Sequence, residues 1–293
     1  MRKSLASRAF DVFNYTFLAL FALFCFLPFY MVTIASFTDE RYLRVDGYMP
    51  WPKGFSVAAY RWVLRGQDVI DAYKISLFVT MVGTFLSLAF SCGIAYAMAC
   101  RQFKHRSKIS FYVYFTMIFS GGVIPWYIVC RAIGLYDNVW ALILPMVMNP
   151  WWIFVLRNFF LSLPPEIMES ARIDGASDLT ILSHIVLPLS KPVLATTLLF
   201  TAVGYWNDWW HGMILLSFVR WRPLAVLIMR LITNLKAMYE AMQAPGVTID
   251  FVEIPTMSVR MATVVITIGP ILFLYPFVQK YFIRGLTIGA VKG

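Results

Sequence analysis

Glu169-Ser170-Ala171-Arg172-Ile173-Asp174-Gly175-Ala176-Ser177, continuing through Ile185 to Leu187-Pro188, is a polar stretch set between long apolar runs. Its residues predict two short helices meeting at a corner. Pro164-Pro165 suit the start of the first, because proline in a first turn forfeits only an amide proton that would lack a partner anyway. Glu166 and Glu169 then place carboxylates near the positive end of the helix dipole. Gly175 suits the left-handed residue that ends the helix. Ser177 can cap the second piece, with Asp178 in its first turn, and Leu179, Leu182 and Ile185 recur at helical spacing before Pro188 closes it. A stop and restart around one glycine makes a rigid knob, not a flexible linker.

The rest of the chain cannot hide in a soluble core. Of 293 residues, 60% are hydrophobic and 14% charged, against roughly a quarter charged in ordinary soluble domains. A polytopic membrane protein resolves the excess, with apolar surface turned to lipid and to neighbouring helices. The net charge of +10 raises nucleic acid as a partner, but the basic residues are scattered in short loops and form no single face. They read as topology determinants. Cys25, Cys92, Cys100 and Cys130 lie in or at the ends of apolar runs with no CxxC pair, and His105, His184 and His211 are far apart, so packing is favoured over a disulfide or a metal site.

A helix crossing the hydrocarbon core needs about 20 apolar residues. The expected fold is all-α and polytopic, a single domain over 1–293, with six transmembrane helices at about 12–36, 75–100, 109–131, 138–160, 192–218 and 261–282. The polar hairpin forms the loop 161–190, and two longer segments, 37–73 and 220–259, lie on the opposite side. Within them, short helices are expected at Val57–Leu64 and Pro223–Met242. Arg2, Lys3 and Arg8 before the first span, and Arg101, Lys104, Arg106 and Lys108 between the second and third, face only Arg131 between the third and fourth. Positive residues in short loops stay inside, so both termini and the hairpin are expected to be cytoplasmic. The hairpin could instead lie on lipid as an interfacial helix. Glu166, Glu169, Asp174 and Asp178 argue against that, since the inner leaflet is itself anionic.

No GxxxxGK[ST] phosphate loop occurs, so the chain has no such ATP site, and no Ser/His/Asp or paired-carboxylate set suggests catalysis. Within the fifth span, however, Tyr205-Trp206-Asn207-Asp208-Trp209-Trp210-His211 carries an ionisable residue at membrane depth, costly unless it faces protein or water. Aromatic rings suit the apolar faces of sugars, and Asn207 and Asp208 can bond hydroxyls. The candidate pathway residues are Asn149, Trp152, Trp206, Asn207, Asp208 and Trp210. On one continuous helix Tyr205 and Asp208 would share a side. Asn149-Pro150-Trp151-Trp152 offers a second polar break, and Ser120-Gly121-Gly122 with Pro125-Trp126 loosens the third span. An interfacial aromatic belt accounts for single tryptophans equally well.

Glu-Ser-Ala, two residues, then Asp-Gly-Ala-Ser and Ile185-Val186-Leu187-Pro188 resembles the EAA loop of membrane subunits of binding-protein-dependent ABC importers. Arg157-Asn158-Phe159-Phe160, Trp206-Asn207-Asp208-Trp209 and the ending from Tyr275-Pro276 to Gly293 are similar to the carbohydrate branch of that family, which includes oligosaccharide permeases. The resemblance implies the ABC type I importer fold in a bacterial cytoplasmic (inner) membrane. It implies a coupling helix seated in an ATPase subunit, with Glu166, Glu169, Ala171, Asp174, Gly175, Ala176, Leu182 and Pro188 as the coupling residues. Ser170 replaces the family's first alanine, and Leu182 stands where many members carry a phenylalanine knob. The implied partners are a second homologous permease subunit, two ATPase subunits that hold ATP and Mg, a solute-binding protein and an oligosaccharide, with no cofactor on this chain. Ala290–Gly293 would reach the ATPase. An ion-gradient transporter would instead place paired ionisable residues in several spans, and a receptor or scaffold would not require the hairpin. The outer basic residues Arg41, Arg44, Arg220 and Arg222 fit an acidic sugar, headgroup anchoring or docking alike.

Overall fold

The computed structural model describes residues 5–65, 67–217, 219–230, 233 and 257–269. These are almost wholly helical, with one isolated antiparallel bridge between Thr38 and Phe55. The chain divides into two compact units, one containing the segment up to Gln67 and residues of 230–269, the other running from Asp68 to Met229.

The first unit opens with α1, Leu5–Ser36. Its aromatic residues are bare, with Phe13 69% and Phe24 74% exposed, and Phe13, Phe17 and Phe21 stack successively along one face. A surface of this kind is at home in lipid or against another membrane helix, not in water. After α1 the chain turns through Phe37, whose ring stacks on Phe55 and Tyr60. Asp39 caps α2, Glu40–Asp46, by accepting from the Arg41 amide. The short helix expected in this segment is α3, Ala58–Arg65. Glu40 in turn caps the helix Met257–Gly269: its carboxylate accepts from the Met257 amide at 3.0 Å, the Ser258 amide at 2.8 Å and the Ser258 hydroxyl at 2.9 Å. Of the expected sixth span only this part is described, and Pro270 to Gly293, with the proposed tail contact, lies outside the described residues.

The second unit is built on α4, Gln67–Ala99. This helix begins eight residues before the expected second span, because Asp68, Asp71 and Lys74 extend it by two polar turns. Along one face Ser76, Gly83, Ser87, Ser91 and Ala95 form a small-residue stripe, and all five are buried. Small residues allow close approach between membrane helices. At Gly83 the approach is close: an added Cβ would lie 2.6 Å from the Tyr205 ring. The Tyr205 hydroxyl donates to the Ile143 carbonyl at 3.0 Å.

Three apolar runs expected as single spans are broken. The third is α5, Arg106–Ile118, and α6, Val123–Ala132, interrupted where Gly122 takes φ +83°. The fourth is a pair of tight helical turns, Val139–Leu142 and Leu144–Met146, followed by α7, Pro150–Leu161, bent from them by 46°. Pro145 and Pro150 lack amide donors, and Asn149 caps α7 by accepting from the Trp151 amide at 3.0 Å. The hairpin helices are α8, Pro165–Ile173, and α9, Asp178–Ile181. A wide turn over Leu182–Val186 leads into α10, Leu187–Leu189. The ring of Pro188 would collide with the carbonyl of His184 in regular helix, which explains the widening. The fifth run is α11, Lys191–Trp206, then α12, Trp210–Leu215. The hairpin-side pair and this pair meet at 86°. By length and composition two described helices could cross a membrane, or up to four if each bent pair is one span.

Candidate functional site: the polar hairpin and the broken fifth span

The hairpin corner follows from local chemistry. Gly175 adopts φ +80°, a conformation costly for any residue with a Cβ. Its amide and that of Ala176 bond back to Arg172 and Ala171 carbonyls at 3.0 and 2.9 Å, closing the end of α8. Ser177 Oγ accepts from the Thr180 amide at 3.2 Å, restarting the helix.

Three side chains fix this corner to the end of α4. Asp178 Oδ1 accepts from Arg172 Nη2 and from the Tyr96 hydroxyl, each at 2.9 Å. The Arg172 guanidinium also donates to Cys100 Sγ at 3.2 Å. The Arg172 hydrogen bond, followed by that from Tyr96, holds the Asp178 carboxyl below its ordinary value, and the reciprocal bond to Asp178 raises Arg172. A buried cluster containing Tyr96, Ile153, Phe160, Ile181 and Val186 lies beneath, with Ala171, Ala176 and Leu182 packed against it.

What remains outward is a mixed acidic and apolar surface. Glu166, Glu169, Asp174 and Gly175 are exposed, as is Pro188. The most exposed apolar side chains here are Ile173, 88% exposed, and Leu179, 74% exposed. The expected knob, Leu182, is half-buried because the wide turn rotates it onto the interior cluster. Sequence periodicity gave Leu179 and Leu182 equal standing. It overlooked Ile173, and it had no signal for Tyr96, which sits at the end of an apolar run far from the hairpin.

The pathway candidates divide. Asp208 is not on a helix with Tyr205, since α11 ends at Trp206 and Asp208 lies in the break before α12. Its carboxylate lies 2.9 Å from His211 Nδ1, with both side chains mostly buried. The His211 ring meets Trp210 and Trp126 edge-on at 4.9 and 5.4 Å, and Trp126 and Trp210 lie 4.8 Å apart. Trp126 and Trp210 also line a cleft of about 630 Å³ beside Ser120, Gly121 and Gly122. Trp126 therefore joins the aromatic group, although sequence reasoning assigned Pro125-Trp126 only to loosening the third span. Asn207 is exposed in the break. Trp206 is buried and meets Tyr73 edge-on. Trp152 stacks on Phe200 at 5.4 Å, and Asn149 serves as the α7 cap. Cys92 and Cys130 are buried packing residues.

A family model described as "Binding-protein-dependent transport system inner membrane component" matches residues 1–288. The chain is 40% identical over 293 residues to protein LplC of Bacillus subtilis (strain 168), covering 100% of this chain and 98% of that protein. It is 39% identical over 287 residues to the polygalacturonan/rhamnogalacturonan transport system permease protein YtcP of the same organism, covering 98% and 99% of the two. Among solved structures it matches a chain of a bacterial ABC transporter involved in the import of the acidic polysaccharide alginate, with a TM-score of 0.82 and 31% identity, covering 96% of this chain and 99% of that one.

Proposed function

The chain belongs to the family of binding-protein-dependent transport system inner membrane components, and from that premise we propose how it works as the permease of an oligosaccharide ABC importer. It supplies half of a pathway whose other half is a second homologous permease subunit. Two ATPase subunits bind ATP and Mg, and a solute-binding protein delivers the sugar from outside. Six spans place both termini and the hairpin in the cytoplasm.

In this reading the hairpin is the coupling element. The carrying observation is the Arg172–Asp178–Tyr96 bracket, which fixes the corner to α4 while Glu166, Glu169, Ile173 and Leu179 point outward. A rigid, exposed acidic and apolar knob suits a protein cleft better than an anionic leaflet. Ala171, Ala176 and Leu182 support the knob from beneath, and Asp174, Gly175 and Pro188 shape its ends. ATP binding draws the ATPase subunits together, the seated hairpins follow, and α4 carries the displacement into the bundle. The two membrane states are then biased by differential contacts with the motor.

Asn207, Asp208 and Trp210, with Trp126, line the sugar's route at the break in the fifth span. Asn149, Trp152 and Trp206 support it more remotely. Asp208 keeps the imidazole of His211 oriented and its own charge compensated, so the break can remain polar at membrane depth. The cargo is an acidic oligosaccharide, in keeping with the substrates named for YtcP and for the alginate importer.

Co-purification of the ATPase subunit, together with ATP-dependent uptake in reconstituted vesicles, tests the coupling role. Glu169→Lys and Gly175→Pro are expected to reduce both. Association and uptake equal to wild type in both variants would sink it.

A further inference from the structure

The second unit carries another cleft, of about 310 Å³, between the first turns of α4 and residues 220–227. Its lining includes Asp71, Lys74, Arg220, Trp221 and Arg222. That volume falls within the roughly 300–1,000 Å³ of small-molecule sites. We propose that this cleft recognises the carboxylate of a uronic acid residue, and so sets the importer's preference for acidic over neutral oligosaccharides.

The charges converge from two separated parts of the chain. Lys74 lies on the second turn of α4, with its ammonium 3.1 Å from Asp71, and both side chains are largely exposed. Arg220 lies over the Trp221 ring at 4.8 Å, which fixes the guanidinium plane while leaving its N–H edge to bind an anion. Arg222 is steadied by donating from Nη2 to the Ser217 carbonyl at 3.3 Å. Three cations and one carboxylate leave the cleft with a net positive character.

Trp221 supplies the second half of the recognition chemistry. It is half-buried, packed against the cluster of Val79, Leu142 and Ile143 and covered by Arg220, so what it offers the cleft is a firmly held ring edge. A pyranose presents apolar C–H groups to that edge while an equatorial carboxylate reaches sideways to a guanidinium fork. Neutral sugars gain only the first interaction. Basic and aromatic residues at a membrane interface can also anchor lipid headgroups. Their arrangement around one concavity, with ring and cations drawn from two segments, favours a sugar ring bearing a carboxylate.

The inference rests on the proposal that the cargo is acidic, and the experiment separates the two. The complete importer is reconstituted in phosphatidylcholine vesicles and supplied with saturating binding protein loaded with a galacturonate trisaccharide or its methyl ester. Arg220→Gln and Lys74→Gln should each lower the uptake rate of the acid roughly tenfold, the worth of one charge-assisted hydrogen bond. The ester's rate should stay within about twofold. Equal losses for acid and ester, or losses seen only when anionic lipid is added, would overturn the site. If wild type and variants import the acid alike, the site falls while an acidic cargo stands. If wild type imports only the ester, both fall.

Discussion

Replacing Tyr96 by Phe or Asp178 by Asn tests whether the hairpin drives the membrane helices through α4. Asp178 Oδ1 is a shared acceptor, 2.9 Å from both Arg172 Nη2 and the Tyr96 hydroxyl. Tyr96→Phe deletes one hydrogen bond to a charged acceptor, worth about 1.5 kcal/mol. Asp178→Asn weakens that bond and removes the ion pair. With Arg172 22% and Asp178 65% exposed, water screens the pair to about 0.5–1 kcal/mol. Either change therefore shifts the balance between bracketed and released corner by about five- to thirtyfold. In reconstituted importer, ATP hydrolysis should stay within about twofold of wild type while sugar imported per ATP falls several-fold. Because both bonds end on one oxygen, the loss in the double variant should be clearly smaller than the sum of the two single losses. Arg172 first, and then Tyr96, hold this carboxyl below its ordinary 3.8. Its contribution is therefore complete above that value and is lost only as pH falls through the lower folded one. The coupling defect should accordingly be the same at pH 6 and pH 8. Full coupling in both single variants, or additive losses in the double, would refute the mechanical link.

Other perturbations have equally definite outcomes. Ile173→Ser and Leu179→Ser each remove an exposed apolar side chain whose burial is worth about 1.5–3 kcal/mol, so ATPase-subunit affinity should weaken at least tenfold in a pull-down titration while the permease's own melting temperature stays unchanged. Gly83→Val would drive carbon atoms into the Tyr205 ring, costing about 1–3 kcal/mol and lowering thermal stability in detergent; Tyr205→Ala should partly restore it by vacating the space. Burial raises the Glu40 carboxyl, but hydrogen bonds from Ser258, Met257 and Arg44 outweigh it, leaving a net value below the ordinary 4.5. The stabilisation is thus present above that pH and lost as pH falls through the folded value, and Glu40→Gln should remove this part of the acid-unfolding profile. Asp208→Ala should cut sugar uptake by an order of magnitude or more by leaving His211 unoriented in a mostly buried site; wild-type rate and substrate preference would strike Asp208 from the pathway.

The hairpin was legible because its signals are local. Proline at a first turn, glycine at a left-handed corner and serine at a cap each act within four residues, and each stands where those rules put it. The broken runs were harder to read, because hydropathy reports where lipid is tolerated and says nothing about continuity of backbone hydrogen bonding. Asn207 and Asp208 stand out as polar within the fifth run, yet hydropathy alone does not show that the helix ends at Trp206. Leu182 and Leu179 differ by three residues on one amphipathic pattern. Their exposures diverge because Pro188, several positions later, opens the turn between them and the next helix. The tie from Tyr96 to Asp178, and the gathering of Trp126 with Trp210, join residues more than 80 positions apart. No one-dimensional pattern encodes such a pair.

The contrast between the unbroken α1 and the interrupted runs also bears on how the protein is made. A continuous apolar helix satisfies its own backbone and can leave the insertion machinery for lipid as soon as it is synthesised. The run from Arg106 to Ala132 cannot do so on equal terms, because its helical bonding stops between Ile118 and Val123. Its open amides and carbonyls need either water or protein beside them. Ribosomal order therefore matters: α4 is already present when that segment emerges, whereas α11 and α12 are not. The interrupted segments should dwell longest at the translocon, and biogenesis should be most sensitive to substitutions there, even when those substitutions leave the finished transporter intact.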